Sequence, residues 1–332
     1  MPLPTSTYTI DEVTTHHLNN YVGSKEYKDN FYKGRPLLQL IRERKIDATG
    51  GKNITHRVNL GSTYVGRAIR KGTKLDLTDV VNETHSTWTW SVLEEPWVMY
   101  FHDEMESEGS PEAVLGLAED KMNDNDERMR DMILTQLCQT TKATTLDLNT
   151  FRECIPAAGT TAVGGLDGAT AGQTAWTAQN VDTVDFSAVG IPRLRRLHNL
   201  TSQGGKFYHD CVVLPRVFHE EALEVGDASV VINQDAKTKM GTSNADLGLT
   251  NLAILNRPAI WDQAWTTAQS GTILMLNFDG IHLVENPKYA LKMTKIMDAL
   301  VNGLDARVAV RRYVAQLTMS NRNIQGSVTT VT

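Results

Sequence analysis

Two neighbouring segments carry different hydrophobic periods, and neither has enough apolar surface for a core of its own. From Gly50-Gly51, a turn signal, to Pro96 the period is two. Ile54, His56 and Val58 alternate with polar neighbours, Gly61, Gly66 and Gly72 break the pattern, and Thr84, Ser86, Trp88, Trp90 and Val92 can share one face of a returning strand. The pattern predicts a long two-stranded arm. From Ser110 to Gln139 the step changes to three and four, with Val114, Ala118, Met122, Asn125, Met129, Ile133 and Leu137 on one narrow stripe. Glu119, Asp120, Lys121, Asp124, Asp126, Glu127, Arg128, Arg130 and Asp131 occupy the other faces. Ser110-Pro111-Glu112 supplies a hydroxyl cap, a first-turn proline and an acid at the positive end of the dipole. At ~1.5 Å per residue the predicted helix is roughly 45 Å long, suited to lie on a sheet along one edge.

The rest of the chain predicts shorter elements of both kinds, an α+β class. Met1 to Tyr27 reads as a polar arm, and Pro36 to Ile41 as a short apolar helix that anchors it. Its charged tail, Arg42-Glu43-Arg44-Lys45, is expected to face solvent or a partner. Ala157 to Gln179, rich in Gly, Ala and Thr, predicts an irregular insertion. Beyond it come a basic helix over Ile191 to Leu200, a buried strand over Tyr208 to Leu214 and a helix over Phe218 to Val225. A hairpin is predicted for Ile273 to Phe278 and Ile281 to Val284 around Asp279-Gly280. Closing strands are expected near Tyr289 to Met293, Arg307 to Val310 and Ala315 to Met319.

Composition narrows the classes of function. With 332 residues, 41% hydrophobic and 22% charged, the chain can bury a sizeable core. A net charge of −6 argues against wrapping nucleic acid by neutralising phosphate, although it leaves room for enclosing it. Met1 to Thr15 has neither a basic start nor an apolar run, and no stretch approaches the roughly 18 apolar residues of a membrane span. Three scattered cysteines, Cys138, Cys154 and Cys211, fit reduced thiols.

Candidate chemistry is thin. His219-Glu220-Glu221-Ala222-Leu223 opens like a zinc-protease helix, but Leu223 stands where the second histidine must be. His102-Asp103-Glu104 and His209-Asp210-Cys211 set triad types in a row, whereas real triads are assembled across a fold. No phosphate loop, dinucleotide fingerprint or nucleophile elbow occurs, and His16-His17 lacks further ligands. No catalytic, cofactor or metal site is expected.

The order of elements carries a resemblance. Asp29-Asn30-Phe31-Tyr32, Pro36-Leu37-Leu38, Gly50-Gly51-Lys52-Asn53-Ile54, the extended hairpin, Trp88 to Met99, the charged helix and Gln316-Leu317-Thr318-Met319-Ser320-Asn321-Arg322 follow one another. This resembles the major capsid proteins of tailed bacteriophages, the Hong Kong 97-like fold, over nearly the whole chain. The resemblance implies an N-terminal arm over 1–49, an extended loop (E-loop) over 50–98, and a peripheral domain over 99–188 with its spine helix at 110–139. It further implies an axial domain over 189–285 and peripheral return strands over 286–332. The implied function is a virion subunit, made in the host bacterial cytoplasm, forming hexamers and pentamers of an icosahedral shell around double-stranded DNA. Implied partners are copies of itself, a portal, a separate scaffolding protein and decoration proteins, with no membrane and no cofactor. Unless the chain is a processed form, a separate scaffold is expected, because it begins too close to the loop to carry a long fused one. Arg67, Arg70, Lys71, Lys74, Asp76 and Asp79 at the loop tip are the expected intersubunit contacts. Some members join a loop lysine to a neighbour's asparagine; Lys71, Lys74, Asn321 and Asn323 lie in the corresponding regions, but lysines in polar loops are commonplace.

Two other readings stay open at this stage. One is an encapsulin-type compartment shell, which encloses cargo enzymes. The other is a soluble hydrolase whose site gathers His209, Asp210 and Glu220 across the fold.

Overall fold

The computed structural model describes residues 34–61, 83–102, 111–183, 186–203, 205–225, 253–255, 257–298 and 305–330. Its elements in chain order are α1 (Pro36–Glu43), β1 (Ile46–Asp47), β2 (Asn53–Asn59), β3 (Glu83–Thr89), β4 (Ser91–Tyr100), α2 (Pro111–Cys138) and α3 (Phe151–Cys154). There follow β5 (Gln179–Thr183), α4 (Phe186–Thr201), β6 (Cys211–Leu214), α5 (Arg216–Val225), β7 (Ala253–Ile254), β8 (Arg257–Trp261) and α6 (Gln263–Ala268). The chain closes with β9 (Thr272–Leu276), β10 (Ile281–Glu285), β11 (Lys292–Met293), β12 (Met297–Asp298), β13 (Ala306–Met319) and β14 (Gly326–Thr330). This is the mixed α+β class that the periodicities predict.

Among the described residues, one compact unit is built from Val92–Met132 and Lys288–Val314, and a larger one from 34–91, Ile133–Pro287 and 315–330. The larger unit has a six-stranded sheet in the order β5-β14-β9-β6-β8-β7. All of β6 and β9 is buried, so Cys-Val-Val-Leu and Thr-Ile-Leu-Met-Leu read as near-continuous apolar runs instead of alternating ones. Leu194 and Leu197 of α4 and Phe218 of α5 pack onto Val212, Leu214, Ile273, Met275 and Val328, with the Phe186 and Phe218 rings 5.0 Å apart. In the same unit β10 runs antiparallel to the second half of β13, from Ile281↔Met319 to Glu285↔Ala315, and parallel to β1.

In the smaller unit the first half of β13 pairs with β11 and β12, and β4 also pairs with β13. Trp97, Met99 and Ala309 are buried against Ala118 and Met122 of α2. Asn125, the polar residue in the helical stripe, is fully buried and bonded on both sides. Its Nδ2 donates to the Pro96 carbonyl at 3.1 Å, and its Oδ1 accepts from Arg311 Nε at 2.9 Å.

The irregular insertion is held from within. Arg322, fully buried, donates to the carbonyls of Cys154 (3.2 Å), Thr161 (2.7 Å) and Trp176 (3.1 Å). Loop carbonyls that no strand could satisfy thereby find a charged donor.

Four expectations need correction. The turn at Asp279-Gly280 exists, but β9 and β10 leave it for different sheets, so no hairpin forms there. The turn is pinned by the distant Gln325, whose Nε2 donates to the Asn277 carbonyl and whose Oε1 accepts the Asn277 N–H. Arg307 to Val310 and Ala315 to Met319 are one strand, because Arg311 and Arg312 find partners and do not interrupt pairing. Val92 does not share a face with Trp88: the alternation resets at Trp90, leaving Ser91 and Leu93 buried and Val92 53% exposed. In the charged tail of α1, Glu43 is exposed as expected, but the three basic residues turn inward. Arg42 Nε and Lys45 Nζ meet the fully buried Glu285 carboxylate at 3.0 and 2.8 Å, and Arg44 approaches Asp210 at 3.8 Å.

Candidate functional site

The β2–β3 hairpin is the part of the larger unit whose sequence serves no obvious core, so how it is rooted matters most. Its register runs from Asn53↔Thr89 to Asn59↔Glu83. Ile54, Val58, Ser86 and Trp88 are buried on one face, while Thr55, Arg57, Thr87 and Thr89 look out on the other. Arg57 and Glu83 form an exposed ion pair at the far end of the described ladder.

The inward face is fastened by a consistent chain of hydrogen bonds. Trp88 Nε1 donates to Ser86 Oγ at 3.2 Å, and Ser86 Oγ donates to the Met319 carbonyl at 3.1 Å. Thr318 Oγ1 donates to the His282 carbonyl at 3.2 Å, so the contact at 2.9 Å from His56 Nε2 is a donation into the same hydroxyl. Ser320 Oγ likewise donates to the Asp279 carbonyl and receives His282 Nε2 at 3.0 Å. Gln316 Nε2 donates to the Thr89 carbonyl at 2.8 Å, and the Thr87 N–H to the Gly164 carbonyl at 2.8 Å. At Gly164, φ is +62° and a Cβ would lie 2.6 Å from the Trp88 ring, so glycine is required twice over.

Two histidine rings face each other at this root. His56 and His282 have centroids 5.7 Å apart. Burial lowers both pKa values, that of His282 to about 4, with His56 adding repulsion of a second positive charge. Just upstream, the Ala48 N–H donates to the Glu285 carbonyl at 2.9 Å, and the buried Glu285 carboxylate raises the pKa of Lys45 through their hydrogen bond.

The predicted contact residues Arg67, Arg70, Lys71, Lys74, Asp76 and Asp79 lie outside the described residues. The residues of the hydrolase reading are engaged elsewhere. His209 Nδ1 lies 3.0 Å from His198 Nδ1, Asp210 accepts the Phe278 N–H at 2.9 Å, and Glu220 accepts from Arg216 at 2.8 Å. The Cys211 thiol is fully buried, and burial pushes its pKa up, opposite to what a nucleophile needs. Among the described residues no His, Cys, Asp and Glu group suits a metal, and no helix is long and apolar enough to cross a membrane. What sequence reasoning missed is the receiving side of the hairpin. Gln316 and Thr318 are polar positions in an otherwise apolar strand end, both almost completely buried, and that mismatch was the available signal.

No protein-family model matches the chain, and no curated protein sequence matches it. Solved structures do match. The cyanophage A-1(L) capsid asymmetric unit aligns at TM-score 0.70 and 14% identity, covering 93% of this chain and 96% of that one. A chain of the native GTA particle capsid aligns at 0.59 and 9%, covering 98% and 100%. A chain of Microbacterium phage Oxtober96 aligns at 0.58 and 9%, covering 97% and 99%. The fold of this chain is therefore the Hong Kong 97-like fold.

Proposed function

We propose that this chain is the major capsid protein of a tailed bacteriophage, a structural subunit that assembles into the hexamers and pentamers of an icosahedral shell around double-stranded DNA. The observation that carries the reading is end-to-end agreement of fold with chains whose assemblies are capsids. In this reading 50–98 is the E-loop laid over a neighbour, α2 is the spine of a peripheral domain and 189–285 is the axial domain. The rooted hairpin supports it. Extensive polar anchoring at one end is what an arm needs when its other end must grip another subunit. Many modest contacts suit a shell, since one very strong pair would trap misassembled lattices. A slightly acidic chain can line a DNA container without pinning its contents.

Electron microscopy of the purified full chain, with and without a co-expressed scaffolding protein, tests the reading. Closed icosahedral particles are expected. Small monodisperse oligomers under every condition would overturn it, and particles filled with a co-purifying enzyme would favour a cargo compartment.

A further inference from the structure

A cavity of about 570 Å³ opens beside β3 in the larger unit, walled by Thr89, Thr140, Lys142, Asn149, Arg152 and Glu153 together with residues 156–157 and 161–165. Its charges do not balance. Arg152 is half-buried on its wall, and Nη1 is buried without a hydrogen-bond acceptor among the described residues. Burial lowers the guanidinium pKa. Lys142 Nζ donates to Asn149 Oδ1 at 3.1 Å, a neutral partner. Glu153, the one carboxylate among the described lining residues, is turned toward backbone. Its Oε1 accepts the Lys142 N–H at 3.2 Å and its Oε2 the Thr150 N–H at 3.3 Å, completing the cap of α3. Among the described lining residues the cavity thus holds two cations and one engaged acid, and Arg152 Nη1 is left without an acceptor. A guanidinium taken out of water without an anion is destabilising, and a carboxylate offers it the paired acceptors it is shaped for.

Resting on the shell reading above, we infer that this cavity is a socket for one carboxylate side chain of a second copy of the chain, seated against Arg152. Charge complementarity selects the occupant. The chain carries 39 acidic against 33 basic side chains, so the surface of a neighbouring copy offers carboxylates in excess. Packaged DNA is a poorer fit, because a duplex cannot follow a single half-buried arginine into a cavity of this size.

The test is cryo-electron microscopy of assembled shells, paired with assembly assays of Arg152→Met and Arg152→Lys. An Asp or Glu carboxylate of a neighbouring copy is expected at about 3 Å from the Arg152 guanidinium. Arg152→Met should raise the critical concentration for assembly about tenfold or more. The melting temperature of its unassembled form should hold or rise, because an unpaired buried charge has been removed. Arg152→Lys should fall between, keeping the charge but losing the fork. An unchanged critical concentration in Arg152→Met, or wild-type maps with only solvent or a free anion in the cavity, would overturn the socket while leaving the shell reading intact. If the wild-type chain forms no shell at all, the shell reading falls and takes the socket with it.

Discussion

His56 Nε2 donates to Thr318 Oγ1 at 2.9 Å, joining the hairpin to β13 across 262 positions of sequence. Beside it, the His56 and His282 rings sit 5.7 Å apart, each held neutral by burial. The root of the hairpin therefore depends on two imidazoles staying uncharged.

Acid should loosen that root. His282 has a folded pKa lowered to about 4 against an ordinary 6.5, so between those values the unfolded chain binds more protons than the folded one. The stability that the neutral ring contributes is complete above the unfolded value and is lost as pH falls from there toward the folded one. Amide hydrogen exchange over Asn53–Asn59 and Glu83–Thr89 should speed up between pH 7 and pH 5, beyond the intrinsic trend. A His56→Gln/His282→Gln double variant should lose that acid sensitivity. An identical pH response in both proteins would exclude the histidines as its source.

Gly164 and Gly165 separate backbone strain from side-chain collision. Both have positive φ, +62° and +78°, but a Cβ at Gly164 would meet the Trp88 ring at 2.6 Å, while one at Gly165 meets nothing within 4 Å. Gly165→Ala should cost about 1 kcal/mol for its backbone alone. Gly164→Ala should cost about 2–4 kcal/mol, adding the collision. Urea unfolding of the unassembled protein measures both, and equal costs would mean that Trp88 moves aside freely.

Legibility in the sequence followed locality. The stripe of α2 and the alternation in β2 were readable because their periods are set by neighbours in sequence; Met129, Ile133 and Leu137 are all fully buried. The divergence of β9 and β10 was not, because a turn pair says only that the chain reverses, and Gln325 decides where the strands go afterwards. The inward tail of α1 was missed for the same reason: the partner of Lys45, Glu285, is 240 positions away. At the candidate site, the hairpin could be read but its socket could not. Ser86 and Thr318 look like ordinary strand polars until Met319 and His56 are brought to them.

Asn125 tests whether a buried polar residue in a helical stripe is structural. Leucine there would extend the apolar stripe, but it would leave the Pro96 carbonyl and Arg311 Nε without their partner. Arg311 would keep Asp126, at 2.8 Å, and the Leu291 carbonyl, at 3.1 Å. Asn125→Leu should therefore destabilise by about 1–3 kcal/mol in spite of the gain in apolar burial. Asp124→Ala, which removes an exposed ion pair with Arg128, should change stability by less than about 1 kcal/mol. A stabilised Asn125→Leu in chemical denaturation would mean that the bonds around Arg311 are dispensable.

Arg67, Arg70, Lys71 and Lys74 belong to the segment that links β2 to β3, and on the shell reading they meet a neighbouring subunit. Surface charges of this kind set orientation and register more than affinity, and salt screens them over a Debye length of about 8–10 Å at physiological ionic strength. Replacing all four by alanine should leave the unassembled protein folded, with a denaturation midpoint close to wild type. Shell yield by light scattering and electron microscopy should fall at low salt. The gap between variant and wild type should narrow as sodium chloride rises, because screening weakens in the wild type what the substitutions have already removed. Unchanged particles at low salt would exclude the tip as an intersubunit clamp. Loss of folding would assign these side chains to the subunit's own stability.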